Sequence, residues 1–453
     1  MGKPTDLRIK EVTTDTQRIE YRAPMKFGGR VVTDVVIFNV TVAVETNDGR
    51  QGVGRGSMPI GNVWGWPSDR VSNEDTLAAM VALAERIAEH GGQADVVGHP
   101  LEITTALAND YDRFAEETIQ RLELGESMPR LAQLVAGSPW EAALFDAQGQ
   151  ALEQNIYNLL SSEYVNADLA HWLGDDFRGE YLDQYTLREP KPQMPLYHLV
   201  GALDPLTEAE IPSRLNDGSP ETLSEWIHSD GLTHLKIKLN GDDLDWDVGR
   251  VLAVDSVASE AQQDRNCNRW FYSLDFNEKC QNVEYVLEFL NKVQSQAMPA
   301  FDRVQYIEQP TSRYLSHGSG NQMDQAAKLK PVVIDESLVD LESLLLSREL
   351  GYSGVALKAC KGHSEALLMG AAAQKHQMFL CVQDLTCPGA SFLHSASLAA
   401  RIPTVAAIEG NGRQYCPAGN AGWRERYPSM FEINDGTVGT HVLNQTGLGF
   451  RWE

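Results

Sequence analysis

His234-Leu235-Lys236-Ile237-Lys238, Leu274-Asp275-Phe276-Asn277, Tyr306-Ile307-Glu308-Gln309-Pro310, Val333-Ile334-Asp335-Glu336-Ser337 and Ala356-Leu357-Lys358 are five apolar runs that each end on charge. They follow one another at about the spacing of one β/α unit, roughly 30 residues. Working outward, similar β-like runs fall at 195–201, 378–383 and 404–409, completing a series with 233–239, 270–276, 304–308, 331–335 and 354–359. Amphipathic segments of helix length, at 242–262, 281–298 and 364–376, lie between them. Strands alternating with helices predict a parallel sheet, and eight of them over 193–414 predict an α/β fold built on a (β/α) TIM-type barrel. In such a barrel the functional groups sit at the C-terminal ends of the strands.

The residues before the barrel read differently. Val36, Phe38, Val40, Val42 and Val44 alternate with Ile37, Asn39, Thr41 and Ala43, the period of a strand with two unlike faces. Asn47-Asp48-Gly49 is a hairpin turn signal, and the glycines at 52, 54 and 56 read as a bend in the return strand. From about 72 to 160 the pattern is helical. Ser138-Pro139-Trp140-Glu141 reads as a helix start, with Ser as N-cap and Pro in the first turn, for a helix running to Leu160. The chain thus divides into an α+β domain over 1–160, an irregular connector or insertion over 161–192, the barrel over 193–414 and a C-terminal segment over 415–453 that packs back on the first domain.

Composition narrows the function. The 453 residues hold 38 Lys and Arg against 63 Asp and Glu, a formal charge of −25. That balance opposes nucleic-acid binding, which needs phosphate neutralisation. Charges among Met1–Glu11 break any leader-like start, and no apolar stretch approaches the roughly 20 residues of a membrane span. The six cysteines form no Cys-x-x-Cys pair, which fits reduced thiols and a cytoplasmic, soluble protein.

The predicted strand ends place Lys236 and Lys238, Asp275, Glu308, Asp335, Lys358 and Asp384 round one rim, with Glu409 on the eighth strand. Taken singly, each has an ordinary explanation as an edge charge or a helix N-cap. Together, in register, they read as a site. Three carboxylates repel one another unless a cation stands between them, and oxygen-only ligands suit Mg²⁺ before Mn²⁺ and not Zn²⁺. Lys236 and Lys238, two apart on a strand, point the same way, and two such ammonium groups depress each other's pKa so that one can serve as a base. Lys358 reaches the substrate from the other side. Asp384, Asn277 and Glu409 are candidate substrate contacts, and Lys358 with nearby Lys361, taken alone, could be a solvated helix start. No zinc spacing, P-loop, dinucleotide fingerprint or Gly-x-Ser-x-Gly elbow accompanies them.

These motifs resemble the enolase superfamily, in particular the mandelate racemase/muconate lactonizing enzyme family and its muconate-lactonizing-enzyme-like branch. The likeness rests on Lys236-x-Lys238, Asp275-x-Asn277, Glu308-Gln-Pro, Asp335-Glu-Ser and the sixth-strand Lys358. It implies that the first domain is a capping domain and that Asp275, Glu308 and Asp335 hold Mg²⁺ against a substrate carboxylate. Lys238 and Lys358 then serve the two faces of the α-carbon, and Lys236 stabilises the developing charge. It also implies two cap loops that select the substrate, around Phe27 and Met58, with Trp64 and Trp66 as lid aromatics, and a homo-oligomer. The partner expected is a small-molecule carboxylate, with no nucleic acid and no membrane. The eighth strand lacks the Asp-x-Asp of dipeptide epimerases, and the seventh has no histidine base. Racemisation or epimerisation leads. A lyase (dehydratase) or cycloisomerase follows, then a Lys Schiff-base aldolase, which borohydride trapping would reveal. A non-catalytic metal-stabilised binding protein is the remaining class.

Overall fold

The structure, a computed structural model, describes residues 2–27, 30–316 and 319–452. The N-terminal domain is an antiparallel sheet of β1 (Leu7–Phe27), β2 (Arg30–Thr46), β3 (Gln51–Pro59) and β4 (Val97–Gly98), in the order β3-β2-β1-β4. On β2 the alternating Val40, Val42 and Val44 are buried while Asn39, Thr41 and Ala43 are only half-buried, as period two dictates. Gly49, with φ +90°, makes the turn into β3.

Two expectations for this domain are corrected. Gly52, Gly54 and Gly56 do not bend the chain; they lie within β3, where the helix Arg130–Leu152 comes close. A Cβ on Gly54 would stand 2.0 Å from the backbone nitrogen of Ala147 and 2.2 Å from the carbonyl oxygen of Ala143. The glycines exist for helix-on-strand contact. The helix itself begins at Arg130 and ends at Leu152, so Ser138-Pro139 lies inside it. Pro139 cannot donate to the Val135 carbonyl, but the Ser138 hydroxyl donates to it at 2.9 Å, replacing the missing helix bond.

Eight parallel strands then close a barrel: β5 (Met194–Val200), β6 (His234–Lys238), β7 (Phe271–Asp275), β8 (Val304–Glu308), β9 (Val332–Ile334), β10 (Gly354–Leu357), β11 (Phe379–Val382) and β12 (Ile408–Glu409). Closure is the β12–β5 pairing, Ile408 to Leu196 and Glu409 to Tyr197. Register follows the alternation of side chains. Leu235, Ile237, Leu274 and Ile307 belong to the main core cluster, while Tyr197, Tyr306, Val333, Ala356, Cys381 and Ala407 form a separate cluster. The separate cluster is the barrel interior, and residues two positions further along each strand stand one layer nearer the C-terminal rim.

Residues 161–192 hold short helical turns tied to the barrel, with Lys191 Nζ donating to the carbonyls of Ile402 and Val405. Beyond the barrel, β13 (Thr437–Val438) pairs antiparallel with β5. Leu448 donates its backbone N–H to Asp146 of the long helix. Among the described residues no helix is long and apolar enough to cross a membrane.

Candidate active site

Each rim charge is placed by the strand that carries it. Lys238, Asp275 and Glu308 are adjacent in register on β6, β7 and β8, and Asp335 and Lys358 directly follow β9 and β10. Lys236 Nζ donates to Glu308 Oε1 at 2.8 Å, Gln383 Oε1 at 2.7 Å and Glu409 Oε2 at 3.0 Å, and lies 3.1 Å from Asp275. Lys238 Nζ donates to Asp275 at 2.5 Å and to Asn277 Oδ1 at 3.0 Å. Lys358 pairs with Asp335 at 2.8 Å, and Lys361 pairs with the same carboxylate at 3.2 Å. All of these side chains are buried.

The turn after β9 is built by the Gln and Ser of the two motifs. Gln309 Oε1 accepts the N–H groups of Asp335 and Ser337, while its amide donates to Thr311 O and Ser337 Oγ. That clamp ties the Glu308-Gln-Pro and Asp335-Glu-Ser segments together. Asn277 adopts the left-handed region, φ +44°, where Asn is among the better-tolerated residues.

The electrostatics differ from group to group. Burial opposes the charge of Lys236, but Glu308, Glu409 and Asp275 outweigh burial and hold its pKa well above the ordinary value. Lys358 is likewise raised, with Asp335 overcoming burial. Burial, together with Asp275, pushes Glu308 up, whereas Lys358 and Lys361 outweigh burial at Asp335 and hold it at about 2.

Several predicted contacts lie elsewhere. Asp384 is spent on the backbone: its carboxylate accepts from the N–H groups of Leu385, Cys387 and Asn411. Its neighbour Gln383 is the one bonded to Lys236. Met58 is buried in the main core, so the expected cap-loop contact at that position is not formed by it. Trp64, six residues on, reaches the site instead: its ring lies 4.2 Å from Lys358 Nζ and its Nε1 donates to Glu336 at 3.0 Å. Trp66 bonds Glu126 within the N-terminal domain. Phe27 ends β1, and its side chain lies outside the described residues. Lys361 is buried rather than solvated, donating also to the carbonyls of Asp335 and Leu338. Gln383 and Glu336, absent from the sequence-derived set, join the site through Lys236 and Trp64. The signal for Gln383 was its position two beyond Cys381 on an inward-facing strand.

The donors suit a hard divalent cation in kind: three carboxyl groups at successive strand ends, with Glu308 Oε2 buried and without a hydrogen-bond partner. As the side chains stand, no group of three or more His, Cys, Asp or Glu among the described residues encloses a metal site, and Lys236 lies between Asp275 and Glu308.

With the rim established, the class of protein follows. Residues 220–453 match the family described as Enolase C-terminal domain-like. The match covers more than half of the chain, which belongs to that family and through it to the enolase superfamily of enzymes. No curated protein matches the sequence. Among solved structures, the chain is similar to a mandelate racemase/muconate lactonizing protein from Herpetosiphon aurantiacus (18% identity, 90% of this chain and 89% of that one, TM-score 0.57). It is also similar to muconate lactonizing enzyme from Pseudomonas fluorescens (17%, 98% and 96%, TM-score 0.59). A third is a dipeptide epimerase from Enterococcus faecalis V583, solved with Mg and the dipeptide L-Leu-L-Tyr (16%, 98% and 99%, TM-score 0.61). At these identities the likeness is one of fold.

Proposed function

We propose that the protein removes the α-proton of a small carboxylate substrate with one rim lysine and returns a proton to the opposite face from the other, as a Mg²⁺-dependent racemase or epimerase. The observation that carries this reading is the order of charge round the rim: Lys238, Asp275, Glu308, Asp335, Lys358 on or just after five successive strands. Two lysines flank three carboxylates. A divalent cation held by Asp275, Glu308 and Asp335 would supply fixed positive charge to the substrate carboxylate and to the enediolate that forms on loss of the α-proton; Mn²⁺ would satisfy the same oxygens.

The remaining steps belong to the chain. Lys238, oriented by Asp275 and Asn277, serves one face of the α-carbon, and Lys358, oriented by Asp335, serves the other. Lys236, paired with Glu308, Glu409 and Asp275, brings a positive charge that would stabilise negative charge existing only once the proton has left. Met25 of β1 packs with Leu199 of β5 and with Tyr415, so the N-terminal domain touches the barrel there. The lysine pattern resembles that of the muconate-lactonizing-enzyme-like branch.

A second reading has its own support. Lys358 is held by Asp335 and lies over the Trp64 ring, which suits a fixed charge as well as a proton carrier. On that reading Lys238 alone moves the proton, in a lyase or cycloisomerase. The test is proton exchange in D₂O with Mg²⁺, followed by mass spectrometry over pooled α-hydrogen carboxylates and N-acylated amino acids. Deuterium gained by both stereoisomers supports the racemase. Exchange confined to one stereoisomer, or loss of water, supports the second reading. No exchange in any pool overturns both.

A further inference from the structure

The two rim lysines are not independent of one another or of the N-terminal domain. Lys358 Nζ lies 4.2 Å over the ring of Trp64. The indole Nε1 of that residue donates to Glu336 Oε1 at 3.0 Å. The same oxygen accepts from Asn277 Nδ2 at 3.4 Å, and Asn277 Oδ1 accepts from Lys238 Nζ at 3.0 Å. Three residues therefore bridge the barrel mouth from one lysine to the other, and only Trp64 among them comes from the N-terminal domain.

Trp64 is itself held from the barrel side. Arg313 donates through Nη2 to the Trp64 carbonyl at 3.0 Å and through Nη1 to the Gly65 carbonyl at 3.3 Å. Its guanidinium is fixed by two bonds to Glu278, at 2.6 and 2.8 Å. The bridge also has a cavity beside it. A space of about 460 Å³ is lined by Trp64, Asn277, Glu336, Arg313 and Lys279 among others, but by none of Lys236, Lys238 and Lys358. All three bridging residues thus line that cavity, and the lysines do not.

We propose that Trp64 is a positioning residue that sets both proton-transfer lysines at once, Lys358 through the face of its ring and Lys238 through its N–H, by way of Glu336 and Asn277. Seating of the cap loop on Arg313 then places the two lysines together. The two arms use different parts of one side chain, so they separate by substitution. Trp64→Phe keeps an aromatic face for Lys358 and removes the N–H that anchors the Lys238 arm. Trp64→Leu removes both. Glu336→Gln keeps an oxygen acceptor for the indole and preserves the bridge.

This inference rests on the assignment of Lys238 and Lys358 as the proton carriers, but its test does not use turnover. The folded protein and each variant, matched by circular dichroism, are treated with formaldehyde and cyanoborohydride, and methylation of the two lysines is followed by peptide mass spectrometry. Trp64→Phe is expected to raise labelling of Lys238 about fivefold, the factor of about one hydrogen bond, with Lys358 unchanged. Trp64→Leu is expected to raise both, and Glu336→Gln neither. An equal rise at both lysines in Trp64→Phe, as a merely structural tryptophan would give, overturns the bridge, as does no rise in Trp64→Leu. Should labelling follow the expected pattern while D₂O exchange fails in every pool, the bridge stands as a structural coupling and the reaction falls.

Discussion

Lys238 and Lys358 hold symmetrical places, each paired with an outer member of the carboxylate row, Asp275 or Asp335. Replacing either by Ala is expected to slow deuterium exchange by about 10²–10⁴, the usual range for one acid–base group. If both act on the substrate, Lys238→Ala and Lys358→Ala lose exchange with opposite stereoisomers, which chiral chromatography of the exchanged pool would resolve. Equal loss with both stereoisomers in each variant would point to electrostatic rather than face-specific roles. These residues were legible in the sequence because a strand ending turns its last inward residue to the rim, whatever lies elsewhere in the chain. Gln383 and Asp384 were not separable in that way. Both sit at the end of β11, and only closure of the barrel puts Gln383 on Lys236 while backbone amides claim Asp384.

At the scale of elements, β3 and the long helix Arg130–Leu152 approach one another at backbone distance across the glycines of the strand. Gly54→Ala would drive a methyl group into the backbone of two residues of that helix, where no rotamer change relieves it. We expect a loss of about 3 kcal/mol, at the upper end for overpacking, read as a fall in the urea midpoint. Gly125, with nothing within 4 Å, is the control and should shift little as Ala. Equal midpoints for the two variants would mean that the helix retreats from the strand at little cost. The glycine pattern was visible in the sequence, but a bend and a close approach use the same residue. The helix boundary differs from its sequence signal for a related reason: Ser-Pro is a strong start signal, and here the serine hydroxyl repairs the hydrogen bond that proline removes.

At the scale of the molecule, the N-terminal domain and the barrel meet through buried carboxylates. Glu141, in the long helix, accepts the backbone N–H of Ser364 at the start of the barrel helix His363–Lys375. Burial raises its pKa to about 7, against hydrogen bonds that lower it. Its pKa in the folded chain thus lies above the ordinary 4.5, so the folded state keeps the proton longer. Stability from this group is full below about pH 4.5, falls as the pH rises, and levels off above about 7. Glu141→Gln is expected to melt higher than wild type at pH 8, by up to about 3 kcal/mol, and equally near pH 4.5. A gain that does not depend on pH would show that the carboxyl group is not the source. The rim gives the second whole-molecule prediction. Protein stripped with EDTA should gain about 2.7 kcal/mol at Mg²⁺ a hundredfold above its Kd, seen as a rise in thermal midpoint. Asp275→Asn and Glu308→Gln should abolish that rise, and an unchanged midpoint in the wild type would remove the metal from the proposal.

The sequence by itself determined the barrel, its eight strands and the row of lysines and carboxylates at one rim. These follow from local rules: period-two alternation, one helix-length segment between strands, and charge where a strand runs out. Tertiary structure alone decided which partners those charges take, and that Trp64 rather than Met58 reaches the site. The Trp64–Glu336 hydrogen bond joins residues 272 apart in the chain, and no local pattern encodes a distance that exists only once the cap has docked on a closed barrel.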